Sequence, residues 1–173
     1  MQLTPAMQDF ILHWGEMGSR WGTNRSVAQI HALLHVATRP LTAEEIAETL
    51  GIARSNVSTG LKELQSYGLV SSERKLGDRR DHFTSIRDTF DLATAVIQAR
   101  REREFAPTLA ALERVLDEAG RDGTPPENRA RIEDTLKTMR SFDGWYADVA
   151  RLPRAVQMAA IRLGDHVARF LPK

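Results

Sequence analysis

Residues 42–68 read TAEEIAETLGIARSNVSTGLKELQSYG, and this stretch decides the fold. Thr42 and Glu45 have the spacing of a capping box, in which the hydroxyl accepts from a first-turn amide and the carboxylate accepts from the cap amide. A helix is therefore predicted to begin at Ala43. Gly51 supplies the positive φ that ends an α-helix, and a second helix must follow within three or four residues. The stretch predicts a helix-turn-helix.

The second helix has two unlike faces. Val57, Leu61 and Leu64 repeat at helical spacing around Gly60, so this stripe can pack closely on the first helix. The opposite face holds short hydrogen-bonding groups and cations, with no carboxylate before Glu63. Its six residues, the reading face, are Arg54, Ser55, Asn56, Ser58, Thr59 and Lys62. This composition is typical of a helix that enters the major groove of DNA.

A basic hairpin is predicted after the second helix. Residues 69–75 read as a short strand and residues 81–86 as the returning strand. The turn between them, LGDRR at residues 76–80, places two arginines at the tip. Helix, turn, helix and basic hairpin is the order of a winged helix, whose wing can reach the phosphate backbone or the minor groove. The hairpin matters because two short helices joined by a glycine turn also occur in many all-α proteins.

Two kinds of DNA contact are expected. Asn suits adenine and Arg suits guanine, so the base-edge candidates lie on the second helix. They are Arg54, Ser55, Asn56 and Thr59. Charge and reach matter more at phosphates and in the minor groove, where the candidates are Ser58, Lys62, Lys75, Arg79 and Arg80. Asp78 is expected to orient the wing arginines or to cap the turn.

The run from Trp21 to Phe83 resembles the GbsR branch of the MarR-type winged-helix transcriptional regulators. The resemblance is carried by WGTNRSVAQIHALL at residues 21–34, by the LTAEEIAETLGIARSNVSTGLKELQSYGLV core and by the wing GDRRDHF. In the wing, Asp78-x-Arg80 matches the D-x-R pattern of the wider MarR group, and the long helices after the wing fit the same branch. The resemblance implies a homodimeric bacterial regulator that binds double-stranded DNA, usually as a repressor.

Some relatives respond to choline or glycine betaine, so the resemblance also implies a small-molecule effector. No ligand motif matches residue by residue, and no ligand contact is carried over. The sequence itself offers aromatic side chains, which can hold a quaternary ammonium by cation–π attraction. The candidates are Trp14, Trp21, Phe142, Trp145 and Tyr146. Packing at a dimer interface is the alternative interpretation of these aromatic residues.

The excess of positive charge lies in residues 20–87, the predicted DNA-binding segment, which we call the DNA reader. Residues 1–19 carry two acids and no Lys or Arg, residues 20–87 carry ten Lys and Arg against seven acids, and residues 88–173 carry fourteen of each. Three of the seven acids, Glu44, Glu45 and Glu48, belong to the first helix of the pair and are expected to lie away from the groove. The face toward DNA should therefore be more basic than the net charge of its segment.

The rest of the chain is predicted to be helical, so the fold class is mainly α with a small β-hairpin wing. The predicted helices outside the pair cover residues 4–18, 24–37, 88–119, 127–151 and 153–170, with Val167 and Phe170 in the last apolar stripe. Pro107 is expected to kink or break the long one. The N-terminal helix is expected to pack on the C-terminal helices of its own or a partner chain.

Three domains are predicted from these elements: a packing and dimerisation helix at 1–19, a winged helix-turn-helix domain at 20–87, and a C-terminal helical dimerisation and effector region at 88–173. The apolar stripes at the two ends exceed what one winged helix needs. A homodimer whose interface is built by the N- and C-terminal helices is therefore expected, because a dimer places two reading helices about one DNA turn apart.

The composition points away from several other classes of protein. With 42% hydrophobic and 27% charged residues in 173, a soluble globular protein is expected. The chain has no run of about 18 apolar residues and no signal-peptide pattern in its first ten residues, so a cytoplasmic protein without a membrane partner is expected. Because there is no cysteine, a disulfide framework, a thiolate zinc site and a cysteine nucleophile are excluded.

Catalysis, cofactors and metals are not expected. The chain has no phosphate loop, nucleophile elbow or HExxH motif. His31 and His35 are one turn apart, but no third metal ligand is nearby in sequence, so they are interpreted as surface histidines. A winged helix that binds only protein is the alternative function. The polar, acid-poor reading face favours DNA, because a protein-docking face usually exposes apolar groups.

Overall fold

The computed structural model describes residues 1–170, and the surroundings of side chains for residues 1–163. The chain divides into two compact units, Met1–Ala99 and the part from Arg100 onward. The fold is mainly α with one small antiparallel sheet, which confirms the predicted fold class. The first unit therefore contains the predicted winged helix together with a helix on either side of it.

The first unit contains five helices and three strands. In chain order they are α1 (Pro5–Arg20), α2 (Arg25–Val36), β1 (Leu41–Thr42), α3 (Ala43–Leu50), α4 (Arg54–Ser66), β2 (Val70–Arg74), β3 (Asp81–Ser85) and α5 (Thr89–Arg100). Side chains cap four of these helices. Thr4 accepts from Met7, Asn24 accepts from Ser26, Thr42 with Glu45 forms the predicted capping box, and Asp88 accepts from Phe90 and Asp91 at the start of α5. The predicted helix-turn-helix and hairpin are both present.

The sheet has a strand that the sequence did not reveal. Its order is β1-β3-β2, all antiparallel, so the wing hairpin gains a third strand from the residues just before α3. Leu41 pairs with Phe83, and Thr42 pairs with His82. Two residues are too short to show the alternation that marks a strand. Thr42 thus ends β1 and caps α3 at the same time.

The core of the first unit lies between α2, α3 and α4. Ile30, Leu33, Ile46 and Val57 are entirely buried. A Cβ at Gly60 would lie 2.8 Å from Cδ1 of Ile30, so the glycine lets α4 approach α2 closely. The sequence predicted that Gly60 would let α4 pack closely on α3, but the helix that α4 approaches closely at Gly60 is α2.

The N-terminal helix packs on α2 within the first unit. The rings of Phe10 and Trp14 stack with centroids 5.4 Å apart, and they lie 6.4 Å from His35 and 6.3 Å from His31, respectively. The sequence did not predict this contact with α2, and the expected packing of α1 on the C-terminal helices of its own or a partner chain stays a prediction. Since Ile11 joins the core at 3% exposure, α1 is part of the folding unit of the winged helix.

His31 is a core residue, so its interpretation as a surface histidine is wrong. Its ring is 4% exposed, and its Nε2 lies 3.1 Å from the hydroxyl of Ser85 at the end of β3. Burial lowers the pKa of His31 to about 4, and the neighbouring His35 adds to this effect. The reason for its burial is α1, which covers the face of α2 that would otherwise meet solvent. His31 therefore acts as a neutral packing group near pH 7.

In the second unit, a π-helical turn at Arg101–Phe105 is followed by α6 (Ala106–Ala119), α7 (Pro126–Arg151) and α8 (Arg154–Phe170). The amide of Ala106 donates to the carbonyl of Arg101, five residues back. Pro107 has no amide hydrogen to donate, and its ring crowds the preceding turn. The helix was predicted to kink or break at Pro107, and the structure shows a wider π-helical turn just before this residue. Helix α6 packs on α7, where Leu136 is buried.

Large apolar side chains of α7 and α8 are exposed in this single chain. Phe142, Trp145, Ile161 and Leu163 are each more than 60% exposed. Val167 and Phe170, predicted in the last stripe, lie outside the residues whose side chains are described. No helix in the described part of the chain is both long enough and apolar enough to cross a membrane.

Candidate nucleic-acid interface

The turn between α3 and α4 presents α4 to solvent on one side. Gly51 ends α3 in the left-handed region, with φ 64° and ψ 33°, and Ile52 donates its amide to the carbonyl of Ala47 at 3.1 Å. Two residues later α4 begins. Its stripe of Val57, Gly60, Leu61 and Leu64 is buried, and all six residues of the reading face are exposed. The predicted orientation of α4 is therefore confirmed.

The start of α4 has no side-chain cap. Ala53 occupies the N-cap position, where it offers no acceptor to the first-turn amides, and that turn contains no acidic residue. In contrast, Thr4, Asn24 and Thr42 each cap the helix that follows them. The first turn of α4 thus keeps amides without a side-chain acceptor at the positive end of the helix dipole.

The wing turn is held by Asp78. Its Oδ1 accepts from the backbone amide of Arg80 at 3.0 Å, and its Oδ2 accepts from Nη2 of Arg80 at 2.7 Å. The ring Nε2 of His82 lies 3.1 Å from the same Oδ2. The Arg80 guanidinium, with its backbone amide and His82, holds the pKa of Asp78 well below its usual range. The expectation that Asp78 orients a wing arginine is confirmed by these contacts.

The tip of the wing projects into solvent. Gly77 adopts a φ of 84°, and the amide of Asp78 closes the turn on the carbonyl of Lys75 at 3.0 Å. An ion pair of 2.9 Å between Arg74 and Asp81 joins the two strands just behind the turn. The exposed side chains of the tip are those of Lys75, Leu76, Arg79 and Arg80. Three of these four are cations, as the sequence predicted.

One acidic residue of α3, Glu44, does not lie away from the reading face, so the expectation is wrong for this residue. Oε1 of Glu44 is 2.6 Å from Nη2 of Arg54, the first residue of α4. Helix α3 has eight residues and spans only about 12 Å, so its first turn stays within reach of a long side chain at the start of α4. Glu45 instead pairs with Arg39 at 2.6 Å. That pair, with the amide and hydroxyl of Thr42, lowers the pKa of Glu45 to about 2.

The predicted ligand residues have different surroundings. In the first unit, Trp14 is partly buried against Phe10 and His31, and Trp21 is 59% exposed. In the second unit, Phe142 and Trp145 are exposed on α7, and burial raises the pKa of Tyr146. Trp14 thus packs within its own chain, and packing of these aromatic residues at a dimer interface stays a prediction. The effector site remains a prediction.

A cation already lies over one of these rings. The guanidinium carbon of Arg101 is 5.9 Å from the ring centroid of Tyr146. Arg101 also donates to both oxygens of Asp143, at 2.5 and 2.8 Å, which lowers the pKa of Asp143. Within the described residues, no group of three His, Asp or Glu side chains is arranged to hold a metal ion.

Comparison with known proteins agrees with this geometry. The sequence pattern of the MarR family matches residues 21–81, which span α2 to the start of β3. The chain is 25% identical over 148 residues to the HTH-type transcriptional repressor GbsR of Bacillus subtilis, covering 82% of this chain and 80% of that protein. It is 18% identical over 157 residues to the HTH-type transcriptional repressor OpcR of the same organism, covering 88% and 82%.

The fold has a solved counterpart. A crystal structure of a transcriptional regulator superposes with a TM-score of 0.71 at 20% identity, covering 83% of this chain and 95% of the other. That similarity concerns the fold, while the family pattern and the two relatives concern the sequence. The exposed reading helix, the Asp78-anchored wing and these similarities identify residues 21–81 as a winged helix of the MarR type, in a chain that is similar over most of its length to the repressors GbsR and OpcR.

Proposed function

We propose that this protein is a sequence-specific DNA-binding repressor that acts as a homodimer on pseudo-palindromic operator DNA. The observation that carries the proposal is the contrast between the two faces of α4. The apolar stripe of this helix is buried, and the six residues of its reading face are exposed beside a basic wing. A helix with this exposure can enter the major groove and present hydrogen-bonding groups to base edges. The names of the relatives GbsR and OpcR support repression as the mode of regulation.

Base reading is assigned to the first two turns of α4. Asn56 is suited to a bidentate contact with adenine, Arg54 to one with guanine, and Ser55 and Thr59 to single hydrogen bonds. Ser58, Lys62 and the wing cations are assigned to phosphates or the minor groove. The first-turn amides of α4, which Ala53 leaves without a side-chain cap, are further donors to a phosphate oxygen.

The homodimer is supported by apolar surface that the single chain leaves exposed. Phe142 and Trp145 on α7 and Ile161 and Leu163 on α8 are large side chains in contact with solvent. Exposed apolar residues on neighbouring helices mark an interaction surface. A two-fold axis would bury them and set the two reading helices about 34 Å apart.

We also propose a small-molecule effector such as a quaternary amine. The Arg101 guanidinium over Tyr146 supports this, because it shows a ring of α7 in cation–π contact. Calorimetry with choline and with glycine betaine is the direct test. Heat of binding that is lost in Tyr146→Leu is expected, and no heat with either compound would overturn the proposal.

The test of DNA binding compares Asn56→Ala with the wild type. An operator is first selected from a random-sequence pool by the full-length protein, and affinity for operator and random duplexes is measured by fluorescence anisotropy. Asn56→Ala is expected to cost about 1 to 3 kcal/mol on the operator and little on random DNA. Asn128→Ala, an exposed asparagine on α7, is the matched control. Equal losses on both duplexes would remove Asn56 from base reading, and a stable monomer in sedimentation would remove the dimer.

A further inference from the structure

Glu44 lies beside the start of the reading helix α4. It lies in the first turn of α3, where its Oε1 pairs with Nη2 of Arg54 at 2.6 Å. The two side chains are 42% and 67% exposed, so the pair is at the surface. Glu44 also acts on the wing. The pKa of Arg80 is raised chiefly by Asp78, and Glu44 and Glu45 contribute to the rise.

The cations of the interface therefore fall into two groups. Arg54 and Arg80 each have a carboxylate partner, at 2.6 and 2.7 Å. The other group has no ion pair among the described residues, and its members are Lys62, Lys75 and Arg79. The members of this second group lie on α4 and on the wing, and all are exposed. The two groups should respond differently to a phosphate.

A paired arginine gains little from a phosphate at a random site. The phosphate must compete with the carboxylate for the guanidinium, and the carboxylate repels the phosphate. A guanine edge offers two neutral acceptors, and the guanidinium carries five N–H donors, so a base contact does not require Glu44 to leave. The pairing also restricts a long side chain before DNA arrives.

We propose that Glu44 is a specificity-determining residue, which restrains Arg54 from non-specific phosphate contacts and positions it for a base edge. This inference rests on the DNA-binding function proposed above. Glu44 acts through Arg54 and is a positioning residue. The cost of such a carboxylate is weaker binding to all DNA, and its benefit is a larger ratio between operator and random affinity.

The test compares Glu44→Gln with Glu48→Gln in the full-length protein. Glu48 lies one turn further along α3, is exposed and has no ion pair in the described part of the chain. Each variant removes one negative charge, so Glu48→Gln controls for the change in net charge. Affinity for the selected operator and for a random duplex of the same length is measured between about 50 and 200 mM salt, because binding through phosphate contacts weakens steeply over this range.

Glu44→Gln is expected to bind random DNA about tenfold more tightly, which equals about 1.4 kcal/mol. Its salt slope on random DNA should steepen by about one, as Arg54 becomes free to contact a phosphate. Operator affinity should change less than random affinity, so the specificity ratio falls. Glu48→Gln should leave the ratio unchanged, and Glu44→Asp should restore much of it.

Arg54→Gln provides the second arm of a double-mutant cycle. In that background, Glu44→Gln is expected to leave the specificity ratio unchanged, because the restrained side chain is absent. Equal effects of Glu44→Gln and Glu48→Gln, or an undiminished effect in the Arg54→Gln background, would overturn this inference and leave the DNA-binding function standing. Failure of the wild type to bind any duplex would overturn both. Glu45, not Glu44, completes the capping box, so thermal melting should show a folded Glu44→Gln.

Discussion

Arg80 is fastened to Asp78 by its backbone amide at 3.0 Å and by its guanidinium at 2.7 Å, whereas the neighbouring Arg79 has no ion pair among the described residues. Arg79→Ala should therefore remove one mobile phosphate contact. The salt slope is expected to fall by about one, with equal weakening on operator and random DNA.

Arg80→Ala should weaken binding more than Arg79→Ala, because it also leaves the Asp78 carboxylate without its guanidinium partner near phosphates. Both variants are compared with Arg114→Ala, which removes an exposed arginine from α6. Anisotropy titrations over a range of salt concentrations measure the slopes. A double variant, Arg79→Ala with Arg80→Ala, whose slope equals that of the wild type would show that the wing does not contact DNA.

Ala53→Asp should make the protein more stable and its DNA binding weaker. The new carboxylate can accept from first-turn amides of α4 that now have no side-chain cap, and it should raise the free energy of unfolding by about 0.5 to 2 kcal/mol. DNA affinity should fall, because the carboxylate would compete with a phosphate for those amides. Ala53→Asn caps without a charge and should lose less affinity. Urea unfolding and anisotropy measure the two effects, and undiminished affinity in Ala53→Asp would contradict a phosphate contact there.

Gly18→Ala should destabilise the first unit. A Cβ at Gly18 would lie 2.5 Å from Cβ of Ala28, a methyl group that cannot rotate away, so α1 must shift on α2. A cost of about 1 to 3 kcal/mol is expected. Gly144→Ala is the matched control on α7, where nothing lies within 4 Å of the added methyl. It should stabilise the protein by about 0.5 to 1 kcal/mol. Equal unfolding midpoints for the two variants would contradict the tight α1–α2 contact.

His31 should make stability depend on pH. Its folded pKa is about 4 and its ordinary value is 6.5, so the unfolded chain binds the extra proton between these values. The stabilising contribution is complete above pH 6.5 and is lost as the pH falls toward 4. A loss of roughly 2 kcal/mol is expected between pH 7 and pH 5.

The measurement is urea unfolding at both pH values. His31→Gln should reduce the difference between them. His13→Gln, which replaces an exposed histidine of α1, should leave it intact. If His31→Gln shows the same difference in the free energy of unfolding between the two pH values as the wild type, the pH dependence comes from other groups.

Local features were predictable from the sequence because their causes are local. Thr42 and Glu45 are three residues apart, and their capping box depends on that spacing alone. The Gly77-Asp78 turn likewise carries its own conformational preference. The apolar stripe of α4 predicted which of its faces is exposed. These features account for the winged helix and for the exposure of the predicted DNA contacts.

Features that depend on how elements meet were not predictable. His31 is buried because α1 covers it and Ser85, 54 residues away, meets its ring. Glu44 reaches Arg54 across a helix pair whose crossing neither helix determines by itself. The two-residue β1 is too short to show a pattern, and only its pairing with Phe83 and His82 defines it. Composition could suggest that acids lie on α3, but not that one of them faces the start of α4.

Thr42 joins the wing to the helix-turn-helix, since it pairs with His82 of the wing strand β3 and caps α3, the first helix of the pair. A tilt of α3 must therefore pull the hairpin with it. The proposed major-groove and minor-groove contacts should therefore form and break together. Each half of an operator should then dissociate in a single cooperative step, without an intermediate in which only the wing has dissociated.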